Sequence, residues 1–365
     1  MEATIIIGEA LMYPSFSLLV GFLVINLIPI TNRPEIVFPK MLRICCIVGL
    51  AIFTFAPILK LVIFLAGDMG ILLTLKSVLT NFESGRVWSF TAGLTLFLLI
   101  GHTVPDFEKK RGLIVLSLFT MVGLAILVGM SSHAGSLVGW YGIILHSVHF
   151  LSMAIWSGIL LLVGWFSKGK TDWIQSFLTW FSPVAFACVG IAIFTGLTIM
   201  QLVIEFKDYP QSWLLPYGQT ILIKHLLIIP VLVFAIINGV LLKRMLKRRN
   251  DIRVLSRLRA EGIFILLIFM VTAILGTLSP PHIIPETLAT EEPSELMEFI
   301  FSGQILPETV LQVHFQGASI LLALLALGCL LMMVFLFLRK KPSSLAVLSG
   351  SLFVIFSYFS LMLSV

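Results

Sequence analysis

The chain has 365 residues, 59% of them hydrophobic and 12% charged, with a mean hydropathy of +1.08. An ordinary soluble domain carries about 25% charged residues, so a water-soluble globule is excluded. At about 20 apolar residues per crossing there is room for about ten membrane spans and no separate soluble domain, and the excess of Lys+Arg 24 over Asp+Glu 18 matters through its placement in loops rather than as a signal for nucleic acid.

Continuous apolarity predicts spans near 5–30, 42–66, 86–104, 112–130, 139–166, 177–204, 217–242, 260–279, 306–338 and 344–365. Runs of this length exclude the alternating pattern of a barrel strand, so the expected fold is all-α, a polytopic transmembrane helical bundle. Pro57 and Pro230 fall inside spans as expected kinks, because proline cannot donate to the carbonyl four residues earlier. The opening stretch MEATIIIGEA carries acid where a cleaved secretory signal would carry base. Cys45, Cys46, Cys188 and Cys329 lie in apolar runs without the spacing of a disulfide or zinc framework.

The connections alternate in charge. Arg33 and Lys40 follow the first span; Lys109, Lys110 and Arg111 follow the third; Lys168 and Lys170 follow the fifth. The 243–259 connection is the richest, with Lys243, Arg244, Lys247, Arg248, Arg249, Arg253, Arg257 and Arg259, and the last holds Arg339, Lys340 and Lys341. The intervening connection 131–138 has no Lys or Arg, 205–216 is acidic on balance, and the long 280–305 loop has Glu286, Glu291, Glu292, Glu295 and Glu298; 67–85 is near neutral. Because basic loops stay in the cytoplasm, both termini are expected outside it.

That orientation sorts the histidines by depth. Taking about 1.5 Å per residue, His146, His225 and His314 each lie about 10–12 Å inside the external surface, on separate spans, with His149 one turn deeper. In His146-x-x-His149-x-x-x-Met153, steps of three and seven residues turn a helix by about 300° and 700°, which leaves the side chains on one face. Met130 and His133 repeat the spacing at the end of the fourth span, joined to the fifth by SSHAGSLVGW. Imidazole with thioether, with no carboxylate expected at that level, is the ligand choice of Cu(I) rather than of Mg²⁺, Ca²⁺ or Mn²⁺. Within a helical 306–338, His314 would lie about 160–200° away from Gln312 and Gln316. Lys224 is expected to snorkel along its stem, and Cys45–Cys46 are more simply packing residues than a metal exit.

Three stretches carry a family resemblance. His146 to Leu160 runs into an aromatic and glycine pair, Trp156 and Gly158; Tyr217 to Leu242 opens Tyr217-Gly218 with Lys224 following; Arg259 to Pro281 has Glu261 near its start and Pro280-Pro281 at its end. In order and spacing they resemble the copper resistance D (CopD) family over about 130–282. The resemblance implies a multi-pass protein of the bacterial inner membrane that handles copper, most often by moving it into the cytoplasm, sometimes with a periplasmic CopC-like copper carrier. It implies His146 or His149 as a metal contact, and His225 as another. The chain then divides into an amino-terminal four-helix region 1–129, a CopD-like core 130–282, and 283–365 with the acidic loop and two further spans.

The function expected is a copper transporter rather than an enzyme, taking up Cu(I)/Cu(II) through a His/Met site in the external half formed from Met130, His133, His146, His149, Met153, His225 and His314. No Walker motif marks a primary pump. Its expected partners are the lipid bilayer, the copper ion and a CopC-like carrier, without nucleic acid. Two alternatives use the same residues. One is a b-type cytochrome in which His146 or His149 opposes His225 or His314 across a haem, and the other is a non-transporting factor that delivers copper to an oxidase.

Overall fold

The computed structural model describes residues 2–67, 70–168, 173–241, 254–281, 283–300, 305–339 and 341–365. Among them ten helices are long and apolar enough to cross a membrane, in agreement with the expected all-α polytopic bundle. The basic stretch from Lys243 to Arg253, together with Lys170, His282 and Lys340, lies outside the described residues. The chain divides into two units, Met1–Ile199 and Met200–Val365.

The first unit contains α1 (Glu2–Leu27), α2 (Lys40–Leu65), α3 (Ile71–Asn81), α4 (Glu83–Thr103), α5 (Arg111–Met130), α6 (His133–Val138), α7 (Trp140–Phe166) and most of α8 (Ile174–Val203). Its centre is the packing of α1 on α7. Phe16, Leu19 and Leu23 of α1 and Ile159, Leu162 and Val163 of α7 are almost wholly buried. The helices run parallel: Tyr13 and Phe16 meet Phe150, the Ser157 hydroxyl donates to Ser17 Oγ at 3.2 Å, and Gly21 meets Gly158 further along. Small residues let membrane helices approach until their backbones touch, which replaces the hydrophobic drive that lipid cannot supply. Beyond the helix ends, a two-residue antiparallel pairing of β1 (Glu35–Ile36) with β2 (Ser167–Lys168) fastens the connection after α1 to the end of α7. There Arg43 meets Glu108 at 2.7 Å and lies over the Phe22 ring.

The near-neutral 67–85 connection holds a helix that the span pattern passes over. α3 has 11 residues, and at about 1.5 Å per residue it reaches only half-way across a hydrocarbon core of about 30 Å. Its buried Val78 joins Ile58 and Val62 of α2, and Gly85 lets α4 start against the Val78 carbonyl.

The second unit contains α9 (Pro216–Ile236), a π-helical turn at Ile237–Leu241, α10 (Val254–Thr277), α11 (Ile284–Thr290), α12 (Glu295–Ile300), α13 (Ala318–Leu338) and α14 (Ser343–Met362). Gln219 organises its polar interior: the amide donates to the Trp213 carbonyl at 2.6 Å and contacts Met362 Sδ, while the Tyr358 hydroxyl donates to its oxygen. The acidic connection is pinned rather than open, with Met297 fully buried and Ser294 N donating to the Leu214 carbonyl at 2.8 Å.

One span differs from expectation. α13 begins at Ala318, so 305–317 is not helical as the 306–338 prediction required. Pro307 removes a backbone donor, polar Gln312, His314 and Gln316 alternate with apolar neighbours, and Gly317 turns the chain at φ +44° into the helix. Gln211 holds this segment, its amide donating to the Thr309 carbonyl and its oxygen accepting from Leu311 N at 2.9 Å. The helical-wheel argument about His314 therefore does not apply.

The α1–α7 crossing is testable. A Cβ on Gly158 would lie 1.8 Å from the Ser17 carbonyl oxygen, whereas one on Gly190 meets nothing within 4 Å. Overpacking of this kind costs about 1–3 kcal/mol, so Gly158→Ala should melt clearly below the wild type in detergent while Gly190→Ala melts with it.

Candidate metal site

The sequence-predicted residues divide between the units. Met130, His133, His146, His149 and Met153 belong to the first, His225 and His314 to the second.

In the first unit the α5–α6–α7 corner is drawn tight by small residues. Ser132 caps α6, its hydroxyl accepting from Gly135 N at 3.1 Å, while Gly142 sits against the Ala134 carbonyl and Gly129 against Ser147. This brings exposed His133 and half-buried Met130 to the end of α7 that begins at Trp140. On α7 itself, Ser147 turns toward α5, its hydroxyl 3.2 Å from the Ala125 carbonyl, and Phe150 turns toward α1. His149, about 160° around the helix from Ser147, turns toward α8. Its Nδ1 is 3.0 Å from the Ala192 carbonyl and 3.1 Å from Thr195 Oγ1, and Gly196 leaves room for the ring, since a Cβ there would lie 3.1 Å from Cε1.

A carbonyl oxygen can only accept, so Nδ1 of His149 carries the proton and Nε2 the lone pair. Metal-binding imidazoles are commonly oriented in this way, with the far ring nitrogen donating to a backbone carbonyl. Half-buried His146 and Met153 share the same α7 face. Among the described residues no group of three or more His, Cys, Asp or Glu side chains could hold a metal ion. A first shell built here therefore needs thioether sulfur or a low coordination number, both of which suit a soft monovalent cation better than a hard divalent one.

The expectation that no carboxylate stands at this level needs correction. Because α1 and α7 are parallel and Tyr13 packs on Phe150, Glu9 on α1 lies one turn before Tyr13, as His146 lies one turn before Phe150. The signal was in the sequence, an acid seven residues into an apolar run, where ionisable groups are costly and mark function by default.

In the second unit His225 is engaged differently. Its Nδ1 is 2.7 Å from the Tyr209 hydroxyl, on the connection between α8 and α9. Burial pushes the Tyr209 phenol above its ordinary value, so it keeps its proton at neutral pH. A phenol both donates and accepts, so this partner, unlike the Ala192 carbonyl, is compatible with either tautomer of the His225 ring. His314 is exposed on the extended 305–317 segment, with its Nδ1 3.3 Å from the Gln312 carbonyl and its backbone N donating to the Ser364 carbonyl. Tyr209→Phe should cost about 0.5–1.5 kcal/mol in thermal melting, and nitrogen NMR of the His225 ring should show its tautomer balance change.

The model of the family described as copper resistance protein D (CopD) matches residues 175–275. Neither a curated protein nor a solved structure matches the chain. The matched stretch contains Tyr217, Gly218, Lys224, His225 and Glu261; His146, His149, Met153, Met130, His133 and His314 lie outside it. The ten apolar helices make the chain a multi-pass membrane protein, and its residues 175–275 match the model of the copper-resistance CopD family.

Proposed function

We propose that this protein is a copper transporter, not an enzyme, that takes up Cu(I)/Cu(II) across a bacterial inner membrane through a His/Met site in the external half of the bundle. The observation that carries the reading is the His149 ring, its Nδ1 fixed by the Ala192 carbonyl, on the α7 face that it shares with His146 and Met153. The loop charges support an orientation with that end outside, where a CopC-like carrier would deliver the ion.

Each group has a distinct task in this reading. Nε2 of His149 is a neutral donor held in place by α8, so binding needs no reorientation of the ring. Met153, a turn deeper, offers a polarizable sulfur along the path inward. Met130 and His133 stand at the surface as an entry point, and His225 and His314 supply further imidazole in the other unit. Glu9 offers negative charge at the level of His146, which favours a cation in a medium of low dielectric. Soft ligands used singly and in series bind copper enough to admit it without holding it, the balance that conduction requires.

Cells expressing the wild type should accumulate more copper than the empty strain, and His146→Ala/His149→Ala should return accumulation to the empty-strain level. Equal copper in all three strains overturns the transport reading. A Soret band from the purified protein would instead identify a haem-binding cytochrome.

A further inference from the structure

The second unit buries a carboxyl group that the copper reading does not use. Glu261 on α10 is 2% exposed, and Asn238, on the π-helical turn after α9, is 4% exposed. The Asn238 amide donates to Glu261 Oε2 at 2.7 Å, yet among the described residues Asn238 Oδ1 is buried with no hydrogen-bond partner. A buried acceptor left unsatisfied is costly, and a carboxylate beside it has no hydrogen to give.

Protonating Glu261 removes the deficit. A carboxylic acid and a primary amide can form a closed ring of two hydrogen bonds, with N–H donating to one carboxyl oxygen while the other oxygen's O–H donates to the amide carbonyl. The conclusion does not depend on which way the amide is turned. With nitrogen and oxygen exchanged, an amide oxygen would face a carboxyl oxygen at 2.7 Å, and that contact also requires a proton between them.

Ionised Glu261 would need a cation, and among the described residues none stands within ion-pair distance of it. Arg257, one turn earlier on α10, is directed elsewhere, its Nη2 donating to the Phe337 carbonyl at 2.9 Å and its guanidinium over the Phe337 ring, with Nη1 buried and, among the described residues, without a hydrogen-bond partner. Arg259 is exposed, as is Arg339 at the end of α13. On α9, Lys224 and His225 lie at least 13 residues before Asn238, about 20 Å along the helix. Tyr358 on α14 is engaged with Gln219.

From this geometry we propose that Glu261 is a proton-binding site, holding its proton in a two-bond ring with Asn238 inside the second unit. The ligand is H⁺ itself, and the site stands independently of copper. The π turn is the element that responds: when the proton leaves, the ring loses one bond and the carboxylate must find another donor. Extra-residue turns of this kind are frequent at functional sites.

The test is infrared spectroscopy of the full chain in lipid vesicles at neutral pH. The difference between wild type and Glu261→Gln should contain a protonated-carboxyl carbonyl band that moves on exchange into D₂O and is lost at alkaline pH. Glutamine can form the same ring as a second amide, so Glu261→Gln should melt with the wild type, and its melting temperature should not fall on alkalinisation as that of the wild type does. Asn238→Leu, which removes the ring partner and keeps the acid, should displace the carbonyl band. The proposal is overturned if carboxylate bands, rather than an acid carbonyl, are lost in Glu261→Gln at neutral pH, or if Asn238→Leu leaves the band in place.

Discussion

Hydrocarbon offers no hydrogen bonds, and the organisation of this protein follows from that constraint. Backbone groups are satisfied within helices, and side-chain hydroxyls mostly turn back on their own helix, as Thr91 and Thr95 do on carbonyls four residues earlier. Polar groups that bond between helices are fewer and correspondingly informative: Ser157 with Ser17, His149 with Ala192, Gln219 with Tyr358, Asn238 with Glu261. Each fixes a relative position that apolar packing in lipid leaves loosely defined.

The same constraint separates the two best-placed imidazoles chemically. His149 meets a carbonyl, which can only accept and so fixes the ring proton on Nδ1, whereas His225 meets a phenol, which can donate or accept. A carbonyl partner and a phenol partner do not make the two rings equivalent donors. The α7 ring is held by a helix–helix contact, whereas the α9 ring is tied to a connection outside the spans.

Much of the bundle could be read from the sequence because a long apolar run has few structural options in a bilayer. The spans at 112–130 and 139–166 lie within a residue of α5 and α7. The 306–338 prediction failed where window-averaged hydropathy absorbed Val310, Leu311, Val313 and Phe315, although Pro307 and the polar residues between them prevent a helix. The α3 helix was missed because eleven residues cannot cross a membrane and local apolarity does not reveal a half-length element. At the candidate site, spacing identified the shared face of His146, His149 and Met153. The partners Ala192, Thr195 and Gly196 could not be read, because they lie more than forty residues away and become neighbours only through packing of α7 on α8. Glu9 could have been found, as could Glu261, by asking of each acid within an apolar run what satisfies it.

The Gln211 side chain reads the 305–317 segment as a neighbouring strand would, giving one hydrogen bond and taking another. Two residues before it in the chain stands Tyr209, whose hydroxyl meets His225, and three residues beyond Leu311 stands His314. A single side chain therefore works as a tie-bar between two stretches that lie outside the long spanning helices. The surroundings of His225 and His314 are thereby joined through one amide side chain even though their rings occupy different environments.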